Sequence, residues 1–188
     1  MRLFIALPLP DDARERLADV QRRVHKLALP LRTPHAEGLH LTLAFLGETP
    51  DDRLDAVRRA MDEASAGAAS FRLALAGLGT FPSSRRPRVL WAGLTGDLVS
   101  LSALHARLDE QLKISGLPTE DRAFRPHVTL GRARAEWSSE HIDALERLLV
   151  QPPGVLASWE VSSVHLLRSE LHPTGAHYTT LYTCALKG

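Results

Sequence analysis

One pentapeptide pattern, x-His-x-Thr-Leu with apolar residues at x, occurs twice in this chain, and the repeat restricts the fold more than any other feature. Leu39-His40-Leu41-Thr42-Leu43 returns as Pro126-His127-Val128-Thr129-Leu130, the second histidine 87 positions after the first in a chain of 188. Each copy alternates apolar and polar side chains, the period of a half-buried strand. A helix start follows each copy about eleven residues on, at Thr49 or Asp51 in the first case and Ser138 in the second. A repeat of nearly half the chain predicts two similar lobes, hence one bilobal domain over residues 1–188 with duplicated motifs at 40–43 and 127–130.

The flanking segments fill in the lobes. Residues 2–7 alternate so that Leu3, Ile5 and Leu7 share one strand face and Phe4 takes the other. Asp11 or Asp12 is placed to cap a helix carrying Leu17, Val20, Val24 and Leu27, which ends before Pro30. A strand over 39–45 precedes a second helix, capped by Thr49 and striped by Leu54, Val57 and Met61. Strands over 71–76 and 88–94 enclose a basic loop with Arg85, Arg86 and Arg88, suited to tracking an RNA backbone. Asp97 opens a helix with Leu101, Leu104, Leu108 and Leu112 on one face, closed by Gly116 and Pro118. After a strand at 126–130, Ser138 or Ser139 caps a helix with Ile142, Leu145 and Leu149, stopped by Pro152 and Pro153; strands near 159–168 and 177–186 complete the chain. This alternation predicts an α+β fold, with two antiparallel sheets facing a central cleft and helices on the outer faces.

Composition narrows the functional classes. Hydrophobic residues make up 44% of the chain, enough for a proper core. Lys and Arg number 23 against 22 Asp and Glu, so any attraction to RNA must come from a local patch rather than from net charge. A lone cysteine, Cys184, excludes an intramolecular disulfide and any zinc site needing two cysteines of one chain, and fits a reducing compartment. The apolar run at the N-terminus is too short to span a bilayer and lacks a signal-cleavage pattern, so a cytoplasmic protein without membrane association is expected. The histidines outside the repeat follow no metal-ligand spacing such as His-Glu-x-x-His, so a metallohydrolase is not expected.

On a strand, residues i and i+2 point the same way, so His40 and Thr42 share a face while Leu41 and Leu43 bury on the other; His127 and Thr129 do the same. If the lobes face each other, the two polar pairs line one cleft from opposite walls. In-line displacement at phosphorus needs the entering and leaving oxygens on opposite sides, each served by a proton-transfer group. Two imidazoles meet that need near neutral pH, and two threonine hydroxyls can donate to the non-bridging oxygens. Other readings of the same residues remain open: an RNA-end or nucleotide binding module without turnover, or a phosphodiesterase for another cyclic phosphate or a 2'-5' oligonucleotide.

The residues Arg2-Leu3-Phe4-Ile5-Ala6-Leu7, Leu39 to Leu43 with Phe45-Leu46-Gly47, Val89-Leu90-Trp91, Arg125 to Arg132, and Ser169-Glu170-Leu171 with Tyr178 resemble, in order and nearly end to end, the RNA 2',3'-cyclic phosphodiesterases, also called 2'-5' RNA ligases, of the two-histidine phosphoesterase superfamily. The resemblance implies a pseudo-two-fold bilobal fold and hydrolysis of a terminal 2',3'-cyclic phosphate to a 2'-phosphate without metal or nucleotide cofactor. It implies His40 as proton donor to the departing 3' oxygen, His127 as proton acceptor from water, and Thr42 and Thr129 as phosphate holders. RNA ends or small cyclic nucleotides are the implied partners, with the reverse 2'-5' joining reaction open to the same pair, and a monomer is expected.

Four further residues suit substrate binding. Phe4 offers a ring for base stacking, Tyr178 a wall to the ligand site, and Arg125 and Arg132 guanidinium groups for phosphate or ribose. Arg132 lies an odd number of residues from His127, so an ideal strand sends it to the far face, and it reaches the cleft only if the strand bends near Gly131.

Overall fold

A computed structural model describes residues 1–150, 156–173 and 175–187. The elements run β1 (Arg2–Pro8), α1 (Asp11–Lys26), β2 (Leu31–Arg32), β3 (His40–Glu48), α2 (Leu54–Ser65), β4 (Phe71–Phe81), β5 (Val89–Gly96), α3 (Leu98–Ile114), β6 (Val128–Ala133), α4 (Ser139–Val150), β7 (Ala157–Val161), β8 (Ser163–His172) and β9 (Gly175–Ala185). The helix stop expected at Pro152 and Pro153 lies outside the described residues. None of the described helices is long and apolar enough to cross a membrane.

The two expected sheets are present as four-stranded antiparallel halves, β9-β8-β1-β3 and β6-β5-β4-β7. They do not stand apart across the cleft. The edge strands β3 and β6 join through one residue pair, Leu41 with Val128, giving a single curled sheet of nine strands once β2 is added on β6. The chain crosses between halves at Ser162, where β7 leaves its partner β4 and β8 takes up β1. That is why the expected single strand near 159–168 is two.

One face of the sheet is apolar. Leu3, Ile5, Leu41, Leu43, Leu90, Val128 and Leu130 form a continuous core with the apolar faces of the helices, among them Leu17, Met61, Leu104 and Leu145. Helix α2 packs on α3 and reaches β9, whereas α1 lies against β6 and β7 and α4 against β4. With the helices on that side, the opposite face carries the polar residues of the repeat.

Asp97 caps α3 as expected, accepting from Ser100 N at 2.9 Å, and Ser138 Oγ accepts from His141 N at the start of α4. The other two expected caps differ. Helix α1 starts at Asp11 behind Pro10, so Asp11 and Asp12 sit in its first turn and favour the positive end of the helix without capping it. Thr49 is buried and tied to the chain start, its N–H donating to Met1 O and its carbonyl accepting from the Met1 amino group, both at 2.8 Å. A short 3-10 turn at Asp51–Arg53 then leads into α2.

Candidate active site

Strands β3 and β6 run antiparallel, and Leu41 pairs with Val128. Continuing that register one step each way sets His40 across from Thr129 and Thr42 across from His127, all four side chains on the face away from the core. The polar pairs are therefore neighbours on adjacent strands at the seam, rather than on opposite walls. In an ideal ladder such diagonal neighbours lie about 7–8 Å apart, their Cβ atoms somewhat closer, a spacing on the scale of a phosphate held between the rings.

Both strands break register immediately after the threonine. Leu43 is passed over in the pairing of β3 with β1, and Leu130 in that of β6 with β5. Each bulge turns its leucine into the core and reverses the parity of the residues beyond it. Arg132 consequently returns to the face of His127, as the sequence required of a strand bent near Gly131. Gly131 itself lies in the crowded layer beneath, where a Cβ would sit 3.3 Å from Leu31 Cβ. The Leu130 carbonyl accepts from the buried Gln21 Nε2 of α1 at 3.2 Å, and the same nitrogen donates to Pro34 O at 3.0 Å.

Both histidines are held in the same way. His40 Nδ1 lies 2.6 Å from Gly38 O, and His127 Nδ1 lies 2.6 Å from Arg125 O, the carbonyl two residues upstream in each case. A carbonyl only accepts, so each Nδ1 carries its proton and each Nε2, on the far side of the ring, is left for proton transfer. Their surroundings differ. His40 is packed by Phe4 (ring centroids 4.7 Å) and by the edge of Tyr178 (5.3 Å). That burial holds its imidazole below the ordinary 6.5, with the bond to Gly38 opposing in part. His127 meets the edge of Phe81 at 5.1 Å, and Phe81 lies 5.2 Å from Trp91.

Two basins flank the seam. The one beside His40, about 350 Å³, is lined by Phe4, Gly38, Thr129, Arg132 and Tyr178, with Arg2 and Arg32 at its edge. Burial pushes the Tyr178 phenol above its ordinary value while the guanidinium groups of Arg132 and Arg2 pull it back. Gly38 lets Tyr178 close down, since a Cβ there would lie 3.0 Å from Tyr178 Cε2. The other basin, about 610 Å³, lies beside His127 and includes Phe81, His105, Phe124 and Arg125; Thr42, Phe45 and Arg132 border both.

All eight residues singled out in the sequence thus line one basin or the other. Phe4 is 3% exposed and backs the His40 ring, while the exposed aromatic ring in the cleft is Phe45, at 46%. Arg125 places its guanidinium over the Phe81 ring at 6.0 Å. Phe45, Phe81, His105 and Phe124 are lining residues that the sequence does not single out; Phe45 alone had a signal, its place five residues after His40, matching Arg132 after His127. Arg85 and Arg86 lie in the β4–β5 turn and line neither basin. Among the described residues no three His, Cys, Asp or Glu side chains converge as a metal ligand set.

A family model, the 2'-5' RNA ligase superfamily, matches residues 9–173. An RNA 2',3'-cyclic phosphodiesterase of Aeropyrum pernix is 34% identical over 168 residues, 89% of this chain and 93% of that one. Its namesake in Thermus thermophilus is 35% identical over 199 aligned positions, covering 100% of this chain and 91% of the relative. Among solved structures, a protein of Thermus thermophilus superimposes with a TM-score of 0.80 at 33% identity, covering 100% of this chain and 99% of that one. Escherichia coli LigT complexed with 3'-AMP does so with 0.79 at 30% identity, covering 100% and 98%.

Proposed function

The chain belongs to the 2'-5' RNA ligase superfamily, and we propose that it hydrolyses the 2',3'-cyclic phosphate at RNA ends, or on small cyclic nucleotides, to a 2'-phosphate. The observation that carries this reading is the matched pair of Nδ1-to-carbonyl bonds, which fixes both imidazoles in one tautomer on either side of the seam. The names of the relatives, RNA 2',3'-cyclic phosphodiesterases, supply the substrate class.

The phosphate sits between the rings, its non-bridging oxygens accepting from Thr42 and Thr129. Water attacks phosphorus from the His127 side and gives its proton to His127 Nε2. The bond from phosphorus to O3' breaks on the opposite side, and O3' takes a proton from His40 Nε2. Solvent exchange then restores both protonation states. Burial favours neutral His40 in the empty cleft, so its imidazolium is sustained by the negative charge of the phosphate it serves. This polarity seats the terminal nucleoside in the His40 basin, with Tyr178 and Phe4 as walls and Arg132 as its cationic contact. Both imidazoles and both basins belong to one chain, so a monomer suffices, and neither metal nor cofactor is required. A reducing cytoplasm suits the single thiol.

The test is turnover of a nucleoside 2',3'-cyclic phosphate in excess EDTA by wild type, His40→Ala and His127→Ala, with 2'- and 3'-phosphate products resolved. A 2'-phosphate formed despite EDTA and lost by about 10²–10⁴-fold in both variants supports the reading. A 3'-phosphate would mean that the bond to O2' breaks in place of the bond to O3', and would overturn the assigned leaving oxygen. A folded wild type without turnover would leave a binding module.

A further inference from the structure

The two imidazoles are held by matching bonds on unequal supports. The Gly38 carbonyl that accepts from His40 Nδ1 belongs to a closed 3-10 turn, Ala36–Gly38, in which Gly38 N donates to His35 O at 3.0 Å and Leu39 N to Ala36 O at 3.1 Å. The Arg125 carbonyl that accepts from His127 Nδ1 has no such frame. It lies in the irregular return from α3 to β6, and among the described residues no backbone hydrogen bond ties 118–126 to the rest of the protein.

Side chains must therefore hold that carbonyl in place. Most of the segment is exposed, but its one aromatic ring, Phe124, is half-buried against the core. The imidazole of His105, from α3, lies flat on that ring, with centroids 3.9 Å apart and planes within 10°. A second tie is looser: the Arg125 guanidinium stands over Phe81 at 6.0 Å, at the outer limit of cation–π contact. The stack is the closer of the two, and it acts on the residue next to Arg125.

We propose that His105 is a positioning residue for His127: its stack on Phe124 holds the Arg125 carbonyl where it keeps the His127 proton on Nδ1, and so leaves Nε2 bare. The role deepens the proposed reaction and rests on His127 as its base. Without the stack the carbonyl drifts, and the ring loses the acceptor that selects its tautomer. The proton then settles on Nε2, which has no lone pair left for the proton of water. Substrate still enters the cleft, so the loss falls on kcat.

The experiment measures kcat and KM for adenosine 2',3'-cyclic phosphate, together with the 15N shifts of the neutral His127 ring, in wild type, His105→Ala, His105→Leu and His105→Phe. Leucine keeps apolar bulk without a flat face, should the alanine variant not fold. In both, kcat should fall about 10–100-fold, the scale of a misplacement of up to about 1 Å, with KM little changed. The His127 proton should move from Nδ1 toward Nε2 while the His40 ring keeps its own. His105→Phe, which lays a flat ring on Phe124 again, should restore both kcat and tautomer. A kcat that holds, a loss in KM alone, a loss with the His127 tautomer unmoved, or a phenylalanine variant as impaired as alanine each overturns the role. A folded wild type inactive on the cyclic phosphate overturns the hydrolase reading, and the His127 tautomer then decides the positioning role by itself.

Discussion

Phe45 and Arg132 occupy equivalent places, each five residues past its histidine and just beyond a bulge, so a ring borders the cleft where its counterpart is a guanidinium. The repeat has been kept at the histidines and threonines and abandoned next to them. In the proposed reaction a symmetric pair of imidazoles would then act on a substrate whose two ends differ.

Arg132 is the cation that this asymmetry sets beside the His40 basin. Arg132→Ala should lower kcat/KM for a nucleoside 2',3'-cyclic phosphate about 10–100-fold, the scale of charge-assisted hydrogen bonds. Arg132→Lys should recover little of it, because a point charge does not reproduce the planar fork. Steady-state kinetics decide both; full activity in Arg132→Ala would remove the residue from the binding site.

Gln21 holds the bulge that aims Arg132. It is 6% exposed and donates to the carbonyls of Leu130 and Pro34. Gln21→Leu fills the space but leaves two carbonyls without that donor, at a cost of about 1–3 kcal/mol in denaturant unfolding. Activity should fall beyond any loss of folded protein, and combining the change with Arg132→Ala should add little further loss in rate.

Trp91 lies across Gly79 so closely that a Cβ there would be 2.2 Å from its Cζ2. Gly79→Ala must push the indole aside, and with it Phe81 and the ring edge facing His127. About 1–3 kcal/mol of stability should go, together with turnover. Gly77→Ala is the control. It meets nothing within 4 Å, yet its φ of +73° strains any side chain, so it should lower the melting temperature and spare kcat.

Burial lowers the pKa of His40, and the sign of the consequence follows. Below the ordinary 6.5 the unfolded chain takes up a proton that the folded one refuses. Folding stability therefore falls as pH drops from 6.5 toward the depressed value. Tyr178→Ala wets the ring, so an NMR titration of His40 should move upward and the acid-side loss of stability should shrink. A His40 titration unchanged by Tyr178→Ala would mean that the burial comes from elsewhere.

Cys184 should be inert in the folded protein. It is buried and its thiol is pushed up to about 12, first by burial and then by its hydrogen bond to Asp62. A thiol reagent at pH 8 should label it only after denaturant is added.

The four residues that touch the phosphate in this reading were legible because strand parity is local: His40 with Thr42 and His127 with Thr129 share a face whatever the lobes do. Where those faces met was not. Opposite walls and adjacent strands have the same alternation, and the choice rests on the pair Leu41–Val128, a contact across 87 residues that no local pattern encodes. Arg132 shows the other limit, since a bulge changes parity without a residue of its own to announce it. Gly77 and Gly79 hid the second half of β4, because glycine weakens a strand pattern and here serves a bulge and the close approach of Trp91. His105 and Phe124 are brought together by the return of the chain after α3, which a single sequence does not display.

The rung between β3 and β6 sets the gauge of the cleft. Because His40 and His127 stand on neighbouring strands either side of one pair, Leu41 with Val128, the gap between their rings is laid down by the ladder itself, as a sleeper lays down the width of a track, and the single core beneath both halves beds it.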